Sequence, residues 1–396
     1  LVLGLGVLAD AGCRADGWGQ REHRALWTGL CYSDVAFLYR ERGLADGVAY
    51  RDAPLEYPVL TGVVMQVSAV AARALTTDDP ADPAEKLVAD SVRFYDVTAV
   101  LMAIAALVAV VATARTVERR PWDAMLVAAS PVLLLTATIN WDLLAVALTS
   151  LAILAWTRER PGWAGLLIGL GAAAKLYPVL LLGPLLLVTL RDPDRARAVP
   201  RFVVAVGAAV AAWVVVNLPV YLWANEGWRQ FFVFNVDRGA EFGSPWYVLN
   251  QLAPGLLPER LNVLLVLAAV VALTLIVGLA FVAPQPPRLA QLAFLAVVAF
   301  LLVNKVWSPQ YALWLLPLAA LARPRWRDLL IWQAGEMLYF VAVWWHLASL
   351  YDSSNPLIGS RGYAVATAIR IACLGWLCAT VVRDVLHPDR DPVRPF

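Results

Sequence analysis

The sequence predicts an all-α, polytopic integral membrane protein, and three observations carry that prediction. Hydrophobic residues make up 61% of the 396-residue chain. Mean hydropathy is +0.66, while charged residues reach only 16%. Water-soluble domains carry about 25% charged residues, so this excess of apolar side chains is expected in lipid. The remaining charges gather in short breaks between apolar runs. A net charge of +2 is too small to point to nucleic acid.

The runs predict spans over 96–114, 124–139, 143–157, 162–174, 176–190, 202–223, 261–282, 289–303, 311–322, 329–349 and 363–382. With flanking segments this makes about 11–13 transmembrane helices. Five basic breaks are expected in the cytoplasm because basic loops stay inside: Arg115/Arg119/Arg120, Arg158/Arg160, Arg191/Arg195/Arg197/Arg201, Arg323/Arg325/Arg327 and the tail from Arg383. By alternation, Asn140–Asp142, Lys175–Pro178, Trp223–Pro258, Asn304–Gln310 and Tyr351–Arg361 face the other side. These breaks are rich in Trp, Tyr, Asn and Pro, as interfacial segments are. Several spans are shorter than the roughly 20 residues a bilayer requires. Short helices meeting in pairs suggest a notch entering from the outer side, where irregular backbone lines a wet cavity.

The chain is expected to form one domain. Residues 1–9 read as the end of a first helix whose start is missing, since the run is too short to span and lacks a basic signal-peptide flank. Residues 10–95 form a long extracytoplasmic first loop, 96–382 the helical bundle and 383–396 a cytoplasmic tail. The acidic stretch Asp78, Asp79, Asp82, Glu85 and Asp90 lies outside, so 58–75 begins and ends on one side. It contains Gln66, Ser68 and Arg73 and is expected to lie in the interface or re-enter. The alternative is that a short helix pair elsewhere forms a single span. Cys13 and Cys31 could pair in an oxidising compartment or remain two free thiols. Cys373 and Cys378 point to different faces of one helix, and His23, His346 and His387 are far apart, so no metal-ligand spacing is present.

Candidate chemistry concentrates on the outer side. Asp34 could serve as general base toward a hydroxyl, or cap the helix that follows. Glu56-Tyr57-Pro58 suits a helix start, with Glu56 favoured by the dipole. Lys175 interrupts an apolar stretch, where a lysine usually marks a partner or pathway; it could hold a lipid phosphate or snorkel to the interface. Asp142, in the turn Asn140-Trp141-Asp142, could bind hydroxyls or cap the next helix. Arg238 could pair with a phosphate in bidentate fashion. Trp246 and Tyr247 offer sugar platforms or interface anchors. Lys305 supplies another cation, and Gln310 and Tyr311 offer hydrogen bonds to polyols. Glu336 and Arg370 lie inside late spans and are expected to pair structurally.

Taken in order, Tyr32-Ser33-Asp34 with Tyr39, Glu56-Tyr57-Pro58, Asn140-Trp141-Asp142, Ala164-Gly165-Leu166-Leu167 with Ala173-Ala174-Lys175-Leu176-Tyr177-Pro178, and Ser308-Pro309-Gln310-Tyr311 resemble the GT-C superfamily of membrane glycosyltransferases. Within it the chain is most similar to glycosyltransferase family 87, the actinobacterial polyprenyl-phosphate-mannose-dependent group, and the likeness covers most of the chain. The resemblance implies a GT-C type bundle in the plasma membrane, involved in cell-envelope biogenesis, with its active site outside. It implies a polyprenyl-phosphate sugar donor, a glycolipid or glycan acceptor, and inversion with Asp34 as base. Lys175, Arg238 and Lys305 would then hold the donor phosphate. Tyr32, Tyr39, Glu56, Tyr57, Asn140, Asp142, Tyr177, Trp246, Tyr247, Gln310 and Tyr311 would line the substrate site. Gln310-Tyr311 departs from the histidine that phosphatidylinositol-mannoside enzymes of the family carry after Ser-Pro, so mannose and arabinofuranose donors both remain open. No Asp-x-Asp pair occurs in the opening loop, and neither a metal nor another cofactor is expected.

A transporter or flippase of a lipid-linked sugar is the competing expectation. It would need a polar path to the cytoplasmic side and would favour matching halves, neither of which the sequence contains. An inactive membrane scaffold is a third; the aromatic outer loops argue weakly against it.

Overall fold

The computed structural model describes residues 1–18, 23–76, 82–253, 255 and 261–393. Asp78, Asp79, Pro258 and the end of the tail lie outside these residues, as does the side chain of His23. Among the described residues there is no strand, only a single bridge between Ala49 and Ala53. The opening segment holds α1 (Val2–Ala9), α2 (Ala11–Ala15), α3 (His23–Thr28), α4 (Asp34–Glu41) and α5 (Val59–Leu75). The bundle follows with α6 (Pro83–Thr116), α7 (Met125–Ala128), α8 (Pro131–Thr136), α9 (Asp142–Thr157), α10 (Pro161–Ala174), α11 (Leu182–Leu190) and α12 (Arg195–Trp223). Then come α13 (Asn225–Asp237), α14 (Pro245–Leu252), α15 (Leu261–Val282), α16 (Leu289–Val303), α17 (Ala312–Ala322), α18 (Trp326–Tyr351) and α19 (Ser360–Leu386). Short 3₁₀ turns precede α7, α11 and α17.

Side-chain bonds sort the connections into two ends. At one end the arginine-rich breaks interlock. Arg158 donates to the Arg115 carbonyl, and Arg197 pairs with Glu159 at 2.6 Å. Arg191 donates to the Ala283 carbonyl, and Arg288 to Leu321, Ala322 and Asp391. Arg323 is held by Asp328 and Asp384. At the other end Ser33 donates to the Thr138 carbonyl and Lys175 pairs with Asp142. The Glu241 backbone amide donates to the Lys305 carbonyl there, and Arg24 pairs with Asp352. We call these the basic face and the loop face. The groups are those the charge pattern predicts; α7 with α8 makes one passage between them, and α13 and α14 both lie at the loop face.

Two predicted spans differ in detail. The first bundle helix begins at Pro83, inside the stretch assigned to the loop, because Asp82 accepts from the Ala84 amide and Pro83 suits the first turn. The 124–139 run is broken after Ala128, because Pro131 lacks an N–H and opens a new helical segment. Ser130 caps the second by accepting from the Leu133 amide.

Helix lengths set the depth of the site. α9 has 16 residues and α10 has 14, which at 1.5 Å per residue gives about 24 and 21 Å. A hydrocarbon core is about 30 Å thick. α6 and α12, with 34 and 29 residues, outreach them. α9 and α10 are thus shorter than such a core and shorter than α6 and α12, against which they pack. α10 lies directly on α12: a Cβ on Gly165 would stand 2.0 Å from the Ala205 carbonyl oxygen, the close approach that small residues allow between membrane helices. α15 buries only Ala280 and exposes valines and leucines along its length, as a lipid-facing helix does.

α5 keeps both ends near the loop face. Thr61 in its first turn donates to the Ala174 carbonyl at 2.7 Å. Arg73 in its last turn donates to the Leu44 and Ala45 carbonyls of the opening segment. Val63, Val67 and Val70 form an exposed stripe at helical spacing, while Met65, Ala69 and Ala72 are buried. Cys13 and Cys31 are joined in a disulfide, leaving Cys373 and Cys378 free.

The expected pairing of Glu336 with Arg370 is present at 2.8 Å, fully buried. The Arg370 guanidinium lies between the rings of Trp307 and Tyr339, at 4.0 and 4.1 Å, and donates to the Trp307 carbonyl. Removing one member of such a pair strands the other charge at a cost of about 3–5 kcal/mol. Arg370→Met should lower the thermal unfolding midpoint in detergent markedly more than Arg51→Met, whose pair with Asp52 is exposed.

Candidate active site

The site is built around Asp34. Ser33, and not Asp34, is the cap of α4: its hydroxyl accepts from the Val35 amide and donates to the Thr138 carbonyl at 2.7 Å. The Asp34 amide donates to the Ile139 carbonyl at 2.8 Å. These bonds fasten the opening segment to the turn before α9 and leave the Asp34 carboxylate free of capping duty. The disulfide holds the chain just upstream, where Trp18 also donates to the Cys31 carbonyl. The Asp34 carboxylate accepts from the Tyr57 hydroxyl at 3.3 Å, with Tyr32 nearby, whose ring stacks on Trp27 at 4.8 Å. It makes no ion pair among the described residues. Burial pushes the Asp34 carboxyl above its ordinary pKa, opposed by Tyr32, the nearby Lys175 charge and Tyr57.

Opposite stands a second assembly. Asp142 occupies the first turn of α9, where the helix dipole favours a carboxylate. Its amide is capped by the Asn140 side chain at 3.0 Å, so the Asp142 side chain is not the cap. That side chain is fully buried, pairs with the Lys175 ammonium at 3.2 Å and accepts from the Trp314 indole at 2.6 Å. Lys175 extends past the end of α10 and lies 5.1 Å from the Tyr57 ring centroid and 5.3 Å from that of Tyr311. Trp314 is stacked between Tyr177 and Tyr311, at 4.5 and 4.0 Å. The ammonium thus stands in an aromatic cage, where cation–π attraction adds to the ion pair.

Arg238, at the end of α13, is near enough for its charge to act on Tyr311 and Tyr57. Its guanidinium is gripped in bidentate fashion by Glu241. The structure therefore brings together Asp34, Tyr32, Tyr57, Asn140, Asp142, Lys175, Tyr177, Tyr311 and Arg238 from the residues singled out in the sequence.

Others have different surroundings. Glu56 is held by Arg42 through two bonds of 2.8 Å. Tyr39 is buried against Phe94. The Lys305 ammonium donates to the Val236 carbonyl and Asn262, and burial with the nearby Arg238 pushes its pKa down. Trp246 donates to the Val303 carbonyl, and Tyr247 packs against Phe242 and Tyr363 beside His346. Gln310 is buried in the turn before Tyr311. Sequence reasoning missed Trp314 and Glu241. Trp314 lies three residues after Tyr311 on the same helical face, a spacing that could have marked it.

Residues 87–304, over half of the chain, match glycosyltransferase family 87, and the chain belongs to that family. The matched region contains Asp142, Lys175 and Arg238 but ends short of Asp34 on one side and Trp314 on the other. The catalytic subunit of GPI alpha-1,4-mannosyltransferase I from Danio rerio is similar at 28% identity over 220 residues. That match covers 50% of this chain, and the chain spans about half the length of the curated relative.

Losing a serine cap costs about 1 kcal/mol. Ser33→Ala should accordingly raise amide hydrogen exchange over 35–38 and loosen the anchor to 138–139, while exchange in α9 beyond its first turn stays unchanged.

Proposed function

We propose that this family 87 protein transfers a sugar from a polyprenyl-phosphate donor to a hydroxyl of a glycolipid or cell-envelope glycan. The observation that carries this reading is the facing of an unpaired carboxylate, Asp34, and a caged ammonium, Lys175, at the low end of short membrane helices. The acceptor hydroxyl attacks the anomeric carbon of the donor from the face opposite the phosphate. A C–O bond forms, the bond from that carbon to the phosphate oxygen breaks, and the configuration inverts. The hydroxyl proton passes to Asp34. Polyprenyl phosphate leaves with the electron pair, and its charge is met by Lys175 and by Arg238 once the guanidinium exchanges Glu241 for phosphate. Lys305, held by a carbonyl and an amide, serves to fix this loop. Charged groups set at the ends of apolar helices suit a donor whose head is charged and whose tail is lipid, and low dielectric strengthens each charge contact.

The reading places the loop face outside the plasma membrane. The five arginine-rich breaks at the opposite face support this, as does a disulfide at the loop face. α5 then lies in the outer interface with its valine stripe toward lipid. Of the two sugars, mannose ranks above arabinofuranose because the Danio rerio relative is by name a mannosyltransferase. The reading invokes no metal: the Asp142 carboxylate is engaged by Lys175 and Trp314, Glu56 by Arg42 and Glu241 by Arg238, and no cluster of three or more His, Cys, Asp or Glu that could hold one occurs among the described residues.

The purified protein should transfer from polyprenyl-phosphomannose to a glycolipid acceptor, and Asp34→Asn should reduce kcat by about 10²–10⁴-fold. No transfer from either mannose or arabinose donor would defeat the enzyme reading, and full activity in the variant would remove Asp34 as base. The base acts as carboxylate, so kcat/KM should fall as pH drops through a raised Asp34 pKa. Tyr57→Phe deletes a hydrogen bond that favours the carboxylate, so the acid limb should move to higher pH; a shift to lower pH contradicts the assignment. Excess EDTA should leave the rate unchanged, and a loss restored by divalent cations would refute the metal-free mechanism.

A further inference from the structure

A recess of about 570 Å³ opens at the basic face, remote from Asp34, where the ends of α9 and α11 meet the starts of α12 and α16. Arg191 ends α11 and Arg201 lies in the second turn of α12, and both line it. Arg191 spends one amino group on the Ala283 carbonyl at 2.8 Å. Arg201 lies over the Trp156 ring at 5.3 Å and reaches Glu159 only at 3.7 Å, because Glu159 is drawn to Arg197 at 2.6 Å. The Nε–H of both arginines is buried and meets no acceptor among the described residues. A buried donor left without a partner costs about 1–3 kcal/mol, more when charged. Of the other charged groups lining the recess, Arg288 is bound by Asp391, and the Asp192 carboxylate accepts from the Asp194 amide. Beneath the guanidinium groups the wall is apolar, formed by Ile153, Val188 and Leu289. Beside Arg201 on α12, Val199, Val203 and Val204 are exposed on the membrane-facing surface.

We propose that this recess binds the phosphodiester headgroup of an anionic phospholipid. The phosphate oxygens accept from the two Nε–H groups and the free amino groups of Arg191 and Arg201, and the glycerol and first acyl carbons lie on the apolar wall. Charge-assisted pairing by two forks and an open way to lipid are the chemistry such basic pockets use. The site is independent of the transfer chemistry, and its test reads binding rather than turnover.

Protein in neutral detergent is mixed with phosphatidylglycerol, phosphatidylcholine or glycerol phosphate. Thermal unfolding and native mass spectrometry are then recorded. Phosphatidylglycerol is expected to raise the unfolding midpoint and to remain as one added lipid mass, whereas phosphatidylcholine does neither. Glycerol phosphate at the same concentration should give no shift; an equal shift would make the ligand a free phosphate and overturn the lipid assignment. The double variant Arg191→Gln/Arg201→Gln should weaken phosphatidylglycerol binding by at least about tenfold. Its midpoint without lipid reports whether it folds. Should it not fold, Ala198→Phe, which fills the recess and keeps both charges, must abolish the preference instead. Retention of that preference by a folded variant, or equal binding of phosphatidylcholine, refutes the proposal.

Discussion

A lysine placed among apolar helices cannot stand alone, and the pairing of Lys175 with Asp142 is the constraint around which this protein is arranged. The pair joins the end of α10 to the start of α9. Its aromatic cage recruits Tyr57 from the opening segment and Tyr311 and Trp314 from α17. Both oxygens of Asp142 are thereby engaged, which separates its role from that of Asp34. One carboxylate is neutralised and structural; the other is half-buried, hydrogen-bonded by phenols and lifted in pKa. Two acids of the same kind acquire different chemistry from their neighbours alone.

The short helices give this arrangement its position. Had α9 and α10 been as long as α6, the ion pair would stand at the rim with the charges screened by water. Ending early, they lower it beneath the opening segment, which Ser33, Asp34 and Thr61 fasten over it through backbone carbonyls. Arg238 enters this region already carrying Glu241 as a counter-ion, so a guanidinium can wait near an apolar recess without an unpaired charge.

Much of this was legible in the sequence. Arginine clusters and aromatic breaks divided the loops into the two groups that bond among themselves at opposite ends, because composition marks loop ends without knowledge of contacts. Lys175 stood out for the same reason. The break at Ser130-Pro131 was not read, since a proline in the first turn of a helix leaves hydropathy unaltered. The early start of α6 was hidden by acidic residues that suit a loop and a helix N-terminus alike. Trp314 was invisible because its partner Asp142 lies 172 residues away. Lys305 and Glu56 show the converse: their chemistry was readable, but the groups that occupy them were not.

The spacing of the cage along the chain bears on how the protein is assembled. Asp142 and Lys175 are 33 residues apart, so their charges can meet as soon as α10 enters the bilayer. Trp314 emerges 139 residues after Lys175 (314 − 175), which at ribosomal rates is a delay of roughly 7–28 s. Through that interval the ion pair lacks its stacked tryptophan, and the opening segment, made earlier, has an incomplete surface to close upon. The opening segment, synthesised before α17, thus completes its contacts with the cage only once α17 has been inserted.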